Sequence, residues 1–447
     1  MAAPSEALAR FAVRTRTGDI PAAMRHEAKR SLVNFFATAL AGCEDPALAA
    51  ASKVFDGFRS SDDCTVIGRA QRTDALHAAS LNAMSGNVFD FDDTHLPTIL
   101  HPSAPVAPAL FALAQTRRVS GGDLLAAFVV GVEVEGRLAN AVSPWHYQRG
   151  WHITSTCGVF GAAAACARLL GLDEQRMRWA LGNASAQSSG LVETLGSMAK
   201  SIGVGNSAAN GLLSALLAQE GFEGPALPIE GPRGFLKVMG HEADADSIAE
   251  GLGERWELAN NTYKPYPCGV VLNPVIEACL ALYADEGVRL RDVSHAELRG
   301  HPLLRQRTDR AHPESGREAQ VSAQHAVAVA LATGRAGLDE FSAASAARDD
   351  LRAFAPKLAF VDDASLGVES ASVRLILANG KEVARGIASA RGSLAVPLTD
   401  AELESKLREL CRWGASGCEA DPLIDALWSL DGRSDAGAVA ALAAGRD

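Results

Sequence analysis

Between Ala75 and Thr116 the chain sets two stretches of small apolar residues, ALHAASLNAMSG and APVAPALFALAQT, on either side of NVFDFDDTHLPTILHPS at 87–103. Three acids fall within four residues there, Asp90, Asp92 and Asp93, and Thr94, His95 and His101 follow closely. Acids and imidazoles between packed helices are costly unless they are paired or hydrogen-bonded. A fold that buries this junction must supply partners for it, so the junction is the expected reaction centre.

The rest of the composition agrees with a packed, helix-rich protein. A length of 447 residues exceeds one ordinary core, so two domains are expected. Aromatic residues make up only 6% while Gly alone numbers 41, and small side chains let helices approach closely. The net charge of −11 argues against nonspecific nucleic-acid binding, which needs a basic surface. It leaves room for a small basic pocket that takes a carboxylate. The N-terminus lacks the apolar run of a secretory signal, and apolar runs such as LLAAFVVGVEV are too short to span a bilayer. A cytoplasmic protein without membrane or nucleic-acid partners is expected. No pair of the eight cysteines has CxxC spacing, which disfavours a structural zinc site.

Periodicity and capping signals predict helices over 5–16, 22–42, 47–59, 75–88, 105–116, 121–140, 152–169, 174–188 and 207–220, with one short strand at 64–68 and irregular chain at 141–151. Residues 189–205 read as a Gly-rich bend, and a polar helix is expected before residue 250. Beyond Trp256 the pattern changes. NNTYKPYPCG is a turn-rich connector, a helix is expected at 273–286, and GVESASVRLILANGKEVARG alternates around Asn-Gly, the signature of a hairpin. Helices are expected at 319–333 and 337–345. The tail returns to helix behind a Thr399/Glu402 capping box. The fold class is mainly α: a large all-helical domain (1–266 and 397–447) with a smaller α+β domain (267–396).

Several polar residues stand out against this background. His101 precedes Pro102, which disfavours helix at the residue before it and leaves the imidazole aimable. His152 opens an apolar helix and can act as a general base or acid near neutrality, with the hydroxyls of Thr154, Ser155 and Thr156 beside it. Lys200, flanked by Met198, Ile202 and Val204, suits the stabilisation of an enolate-like charge. Tyr263, Lys264 and Tyr266 lie in the connector. The DFDDTH run has a superficial likeness to a hard-cation site, but no second acidic cluster matches it, and no GxGxxG follows a strand.

Taken in order, SLNAMSGNVFDFDDTH, HPSAPVAPAL, RGWHITSTCGVFGAAAA, GSMAKSIGVG with NSAANG, GFEGP with EGPRGFL, YKPYPCG and EAQVSAQHAVAVAL resemble the MmgE/PrpD family. The resemblance covers about residues 5–410. It implies a helical domain with a smaller α+β domain, usually in a homodimer, and enzymes that act on small di- or tricarboxylates with neither metal nor organic cofactor. It places family roles on Asp90, Thr94, His101, His152, Lys200 and Lys264. Three positions depart: Gly203 and Gly269 stand where many members carry histidine, and His325 stands at a tyrosine of decarboxylase-like members.

The resulting expectation is a cofactor-independent hydro-lyase of the 2-methylcitrate dehydratase type that removes a proton α to a carboxylate. His152 is the expected base. Asp90 tunes His101, which donates a proton. Lys200, Lys264 and Arg149 hold carboxylates, with Thr94, Thr154, Tyr266 and His325 as further binding residues. Proton return to the opposite face would instead give an epimerase of an iminodisuccinate-like dicarboxylate. The missing side chains at Gly203 and Gly269 also permit a non-catalytic metabolite-binding protein.

Overall fold

A computed structural model describes residues 3–446. The chain divides into two compact units. One gathers Met1–Val88, Asp92–Asn261 and Thr399–Asp447; the other takes Phe89–Phe91 and Thr262–Leu398.

The first unit is helical. Its centre is built from Ala22–Gly42, Ala75–Asn87, Ser103–Thr116, Gly121–Val142, Ile153–Leu169 and Ala199–Gln219. Side-chain caps fix several starts. Asp74 accepts from the amides of Leu76 and His77 at 3.2 Å each, and Asp173 accepts from that of Arg176 at 2.8 Å. Such caps contribute about 1 kcal/mol each. The small residues allow backbone-to-backbone contact. A Cβ on Gly211 would lie 2.4 Å from that of Ala162, and one on Gly42 would lie 2.1 Å from the Ser85 carbonyl oxygen. The tail helix Asp400–Trp413 carries the expected capping box and packs on Ala22–Gly42, where Lys406 Nζ donates to Asn34 Oδ1 at 2.8 Å.

Three local expectations fail in this unit. The 207–220 helix in fact begins at Ala199, so Lys200 sits in a first helical turn rather than in a bend. Its glycines do not break the helix, because Gly205 packs on Ser80 and Met84, where a Cβ would come within 2.7 Å. Packing there outweighs the propensity cost of about 1 kcal/mol per glycine. Trp145–Gln148 forms a short helix inside the stretch read as irregular, and 241–255 is turns rather than a polar helix.

The second unit holds a four-stranded sheet ordered Leu358–Asp362, Val293–Gly300, Ala371–Leu377, Glu382–Ile387. The first pair is parallel and the other two are antiparallel. The alternation read in the hairpin is real: Ala371, Val373 and Leu375 are buried, and helices Asn273–Asp285 and Ala323–Thr333 supply the rest of that core. Gly380, with φ of 84°, turns the hairpin. The strand Leu358–Asp362 was not expected, since it is short and its burial does not alternate. The 319–333 helix divides into Gly316–Ala319 and Ala323–Thr333, and only Ala343–Ala346 of 337–345 is α-helical. Among the described residues, no helix is long and apolar enough to cross a membrane.

Candidate active site

In the sheet-bearing unit, Asp90 and Lys264 form one construction. Asp90 has a φ of 52°, a left-handed conformation that costs a non-glycine residue about 1–3 kcal/mol. Lys264 Nζ offsets this by donating both to the Asp90 carbonyl at 2.8 Å and to its carboxylate at 2.9 Å. The lysine is 3% exposed, so the carboxylate supplies the counter-charge that its burial requires. Gln320 Nε2 donates to the carbonyl of Phe89 at 2.8 Å and secures the residue before. Burial pushes the Tyr266 phenol up, with the charge of Glu277 adding to it, so the hydroxyl keeps its proton. His325 lies in the first turn of Ala323–Thr333 and donates from Nε2 to the Glu340 carbonyl at 2.7 Å. Burial lowers its pKa, so the ring is neutral and carries its lone pair on Nδ1.

In the helical unit, His101 is fixed from several sides. Its Nδ1 donates to the backbone carbonyl of Asp93 at 2.8 Å, and its own amide donates to Thr154 Oγ1 at 3.1 Å. A carbonyl only accepts, so Nδ1 bears a proton. Asp92 Oδ1 lies 3.4 Å from the same nitrogen, as does Thr94 Oγ1. Asn87 Nδ2 holds the other Asp92 oxygen at 2.7 Å. Asp93 turns its side chain away, accepting from Ser103 Oγ at 2.6 Å and Asn261 Nδ2 at 2.7 Å. Burial nevertheless pushes its carboxyl up to about 7. Asp93, through its backbone carbonyl, and Asp92 thus position His101, and the Asp93 carboxylate also accepts from the amide of Ser103, at the start of Ser103–Thr116, at 3.4 Å.

His152 is the N-cap of Ile153–Leu169 and is 4% exposed. Its Nδ1 meets Ser155 Oγ at 2.7 Å, and its amide donates to the Gly190 carbonyl at 3.0 Å. The missing side chain at Gly203 has a local reason. A Cβ there would lie 2.9 Å from Ser155 Oγ, the atom that holds His152. Lys200 is half-buried one turn earlier on that helix, and Arg149 is exposed beyond Trp145–Gln148. Thr154 is fully buried and serves the His101 backbone.

The unit also buries acids that the sequence reading passed over. Glu133 and Glu135 are fully buried in the apolar helix Gly121–Val142. Arg137 Nε donates to Glu133 at 2.5 Å, and its other nitrogens bind the carbonyls of Ile248, Glu250, Gly251 and Arg255. Glu257 accepts from Asn140 Nδ2 at 2.9 Å and meets His95 Nε2 at 3.2 Å. The available signal was the placing of two glutamates and an arginine within the otherwise apolar run LLAAFVVGVEVEGRLA.

Comparison with known proteins extends over the whole chain. Residues 6–247 match the MmgE/PrpD N-terminal domain and residues 266–430 the MmgE/PrpD C-terminal domain. The cis-aconitate decarboxylase-like protein oryM of Aspergillus oryzae is 26% identical over 465 residues, covering 98% of this chain and 96% of that protein. The cis-aconitate decarboxylase of Aspergillus terreus is 32% identical over 274 residues, covering 58% of this chain and 56% of that protein. The human cis-aconitate decarboxylase is 26% identical over 448 residues, with 96% and 92% covered.

Proposed function

Because the chain belongs to the MmgE/PrpD family, we propose that it is a lyase of small di- or tricarboxylates that works by abstracting a proton α to a carboxylate and expelling water from the next carbon. The observation that carries this reading is the pair of buried imidazoles whose Nδ1 atoms are already occupied, His101 by the Asp93 carbonyl and His152 by Ser155. Each ring has a second nitrogen, Nε2, through which a proton can pass. His152 takes the proton, and the electron pair it leaves becomes the new carbon–carbon double bond. His101, as an imidazolium beside Asp92, gives its Nε2 proton to the departing hydroxyl, which leaves as water. Lys200 and Arg149 bind carboxylates and lower the cost of the enediolate-like charge. Lys264, charge-matched with Asp90, is assigned to substrate binding with Thr94, Thr154, Tyr266 and His325.

The relatives named as cis-aconitate decarboxylases favour a second lyase reading, in which the carbon–carboxylate bond breaks, carbon dioxide leaves, and the carbanion is protonated by an imidazolium. Incubating the protein with citrate-like acids, aconitates and imino- or amino-dicarboxylates in deuterium oxide separates the readings by NMR. Water loss with solvent deuterium at the α-carbon of recovered substrate is the expected result, unchanged by a chelator. Carbon dioxide release gives the second reading, and inversion without loss gives an epimerase. The His152→Asn and Lys200→Ala variants should each lose about 10²–10⁴-fold in turnover while keeping the wild-type circular dichroism spectrum. Full activity in both, or binding without exchange across the panel, would defeat the assignment.

A further inference from the structure

Four of the eight cysteines, Cys157, Cys166, Cys268 and Cys279, are fully buried, and burial pushes each thiol up. Cys411 and Cys418 differ. Cys411 lies in the last turns of Asp400–Trp413, and the chain reverses after it through Ala415 and Gly417, whose φ values are 49° and 70°. This brings Cys411 Sγ within 3.2 Å of the Cys418 carbonyl oxygen. Cys418 Sγ lies 3.2 Å from the Leu442 carbonyl oxygen. Ser416 is a further hydrogen-bond partner of Cys411, and Arg412 and Arg446 supply positive charge to the pair. A thiol next to a thiolate stabilises it by donating to it, as in other closely spaced dithiols. That bond draws Cys411 down to about 7 and pushes Cys418 up, so the pair gives up its first proton near neutrality and holds the second. Cys411 is buried and Cys418 is partly exposed, so a small oxidant reaches the pair from the Cys418 side.

We propose that Cys411 and Cys418 form a reactive dithiol that a hydroperoxide converts to a reversible disulfide. The thiolate attacks the peroxide: an S–O bond forms, the O–O bond breaks, and the leaving oxygen takes a proton and departs as water or an alcohol. The partner sulfur then attacks the sulfenic acid. An S–S bond forms, the S–O bond breaks, and the thiol proton leaves with the hydroxide as water. Two thiols are oxidised by two electrons and one peroxide is reduced by two. The bond fastens the loop containing Gly414, which rests so closely on the 22–42 helix that a Cβ there would lie 2.0 Å from the Leu40 carbonyl oxygen. The modification is therefore a lock on the seat of the tail helix.

The experiment treats the reduced full-length protein with hydrogen peroxide, alkylates the remaining thiols and maps the peptides by mass spectrometry. The expected result is loss of alkylation at Cys411 and Cys418 together, a cross-linked peptide joining them, restoration of both thiols by dithiothreitol, and a raised thermal midpoint of the oxidised form. Cys418→Ser should stop at a sulfenic acid on Cys411 that dimedone traps, while Cys279→Ser should behave as wild type. Both thiols remaining alkylatable after peroxide, or Cys411 pairing with Cys43 instead, would overturn the proposal. Because the mapping is made on the wild-type chain, it decides the question even if a serine variant does not fold.

Discussion

Glu135, in the helix Gly121–Val142, and Glu257, packed against that helix, are both buried acids, yet they are held in opposite charge states. Burial pushes Glu257 up, but the hydrogen bond and charge of His95, with Asn140 and Arg137, outweigh it and draw the carboxyl down to about 2. Glu135 is more deeply buried, 0% exposed against 4%, and among the described residues neither of its oxygens has a hydrogen-bond partner. It is walled by Pro105, Gly158 and Gly161, and burial, with the charge of Asp93, holds it well above the usual carboxylate range. Burial sets the cost and the neighbours decide the outcome. The carboxylate joined to His95 is built to be ionised; the one facing glycines is built to stay protonated. Asp93 falls between them, since Ser103 and Asn261 donate to it but do not cancel the burial that raises it.

The harshest way to break this comparison is to remove the ionised member. Glu257→Ala leaves His95 and Asn140 facing an apolar gap and also loosens the loop in which His95 and Leu100 pair. Breaking a buried charge pair by deleting one partner costs about 3–5 kcal/mol. Chemical denaturation at pH 7 measures that loss, and a change within error would mean that the pair contributes nothing net.

The next effect is a difference in sign. For Glu257 the folded pKa lies below the ordinary 4.5, so its contribution is present above pH 4.5 and fades as pH falls towards 2. The stability gap between wild type and Glu257→Gln should close over that window. For Glu135 the folded pKa is raised, so the wild-type chain gains no penalty at low pH and an increasing one once the unfolded carboxyl ionises, above about pH 4.3. Glu135→Gln should therefore match wild type near pH 4 and become the more stable form as pH rises, by at most about 1.4 kcal/mol per pH unit. Asp93→Asn should move in the same direction, between the ordinary carboxylate range and about 7. Thermal melts of the three variants from pH 3 to 8 test this, and parallel curves for the 257 and 135 variants would erase the distinction.

Much of the helical unit was legible because its signals are local. The Thr399/Glu402 box caps the helix it was expected to cap, and Asp74 and Asp173 cap helices whose starts the periodicity put at 75 and 174. What stayed hidden depends on partners far along the chain. The helix around Lys200 is held by Ser80 and Met84, more than a hundred residues earlier, and no local propensity reports that. Leu358–Asp362 becomes a strand by pairing in parallel with Val293–Gly300. At the candidate site the residue types and positions were visible, but the bonds were not. The hydrogen bond that sets the tautomer of His101 goes to the backbone carbonyl of Asp93, a partner that no side-chain pattern announces. The role of Gly203 could be seen only with Ser155 beside it.

The smallest effect asks how the neighbours of Glu257 divide the task. Asn140 Nδ2 donates at 2.9 Å and Asn260 Nδ2 at 3.2 Å, both to Oε2, the atom that also meets His95. Hydrogen bonds to a charged group contribute about 1.5–3 kcal/mol when well made and less when long. Asn140→Ala should therefore cost about 1–2 kcal/mol at pH 7, and Asn260→Ala clearly less. Losing a donor also raises the folded pKa of Glu257, so the acid-side loss of stability in Asn140→Ala should begin at a higher pH than in wild type. Below pH 2, where the carboxyl is protonated in every variant, the Asn140→Ala gap should shrink. A gap of equal size at pH 7 and at pH 2 would show that Asn140 acts by packing rather than by holding the charge, and would leave His95 as the main reason Glu257 is ionised while Glu135 is not.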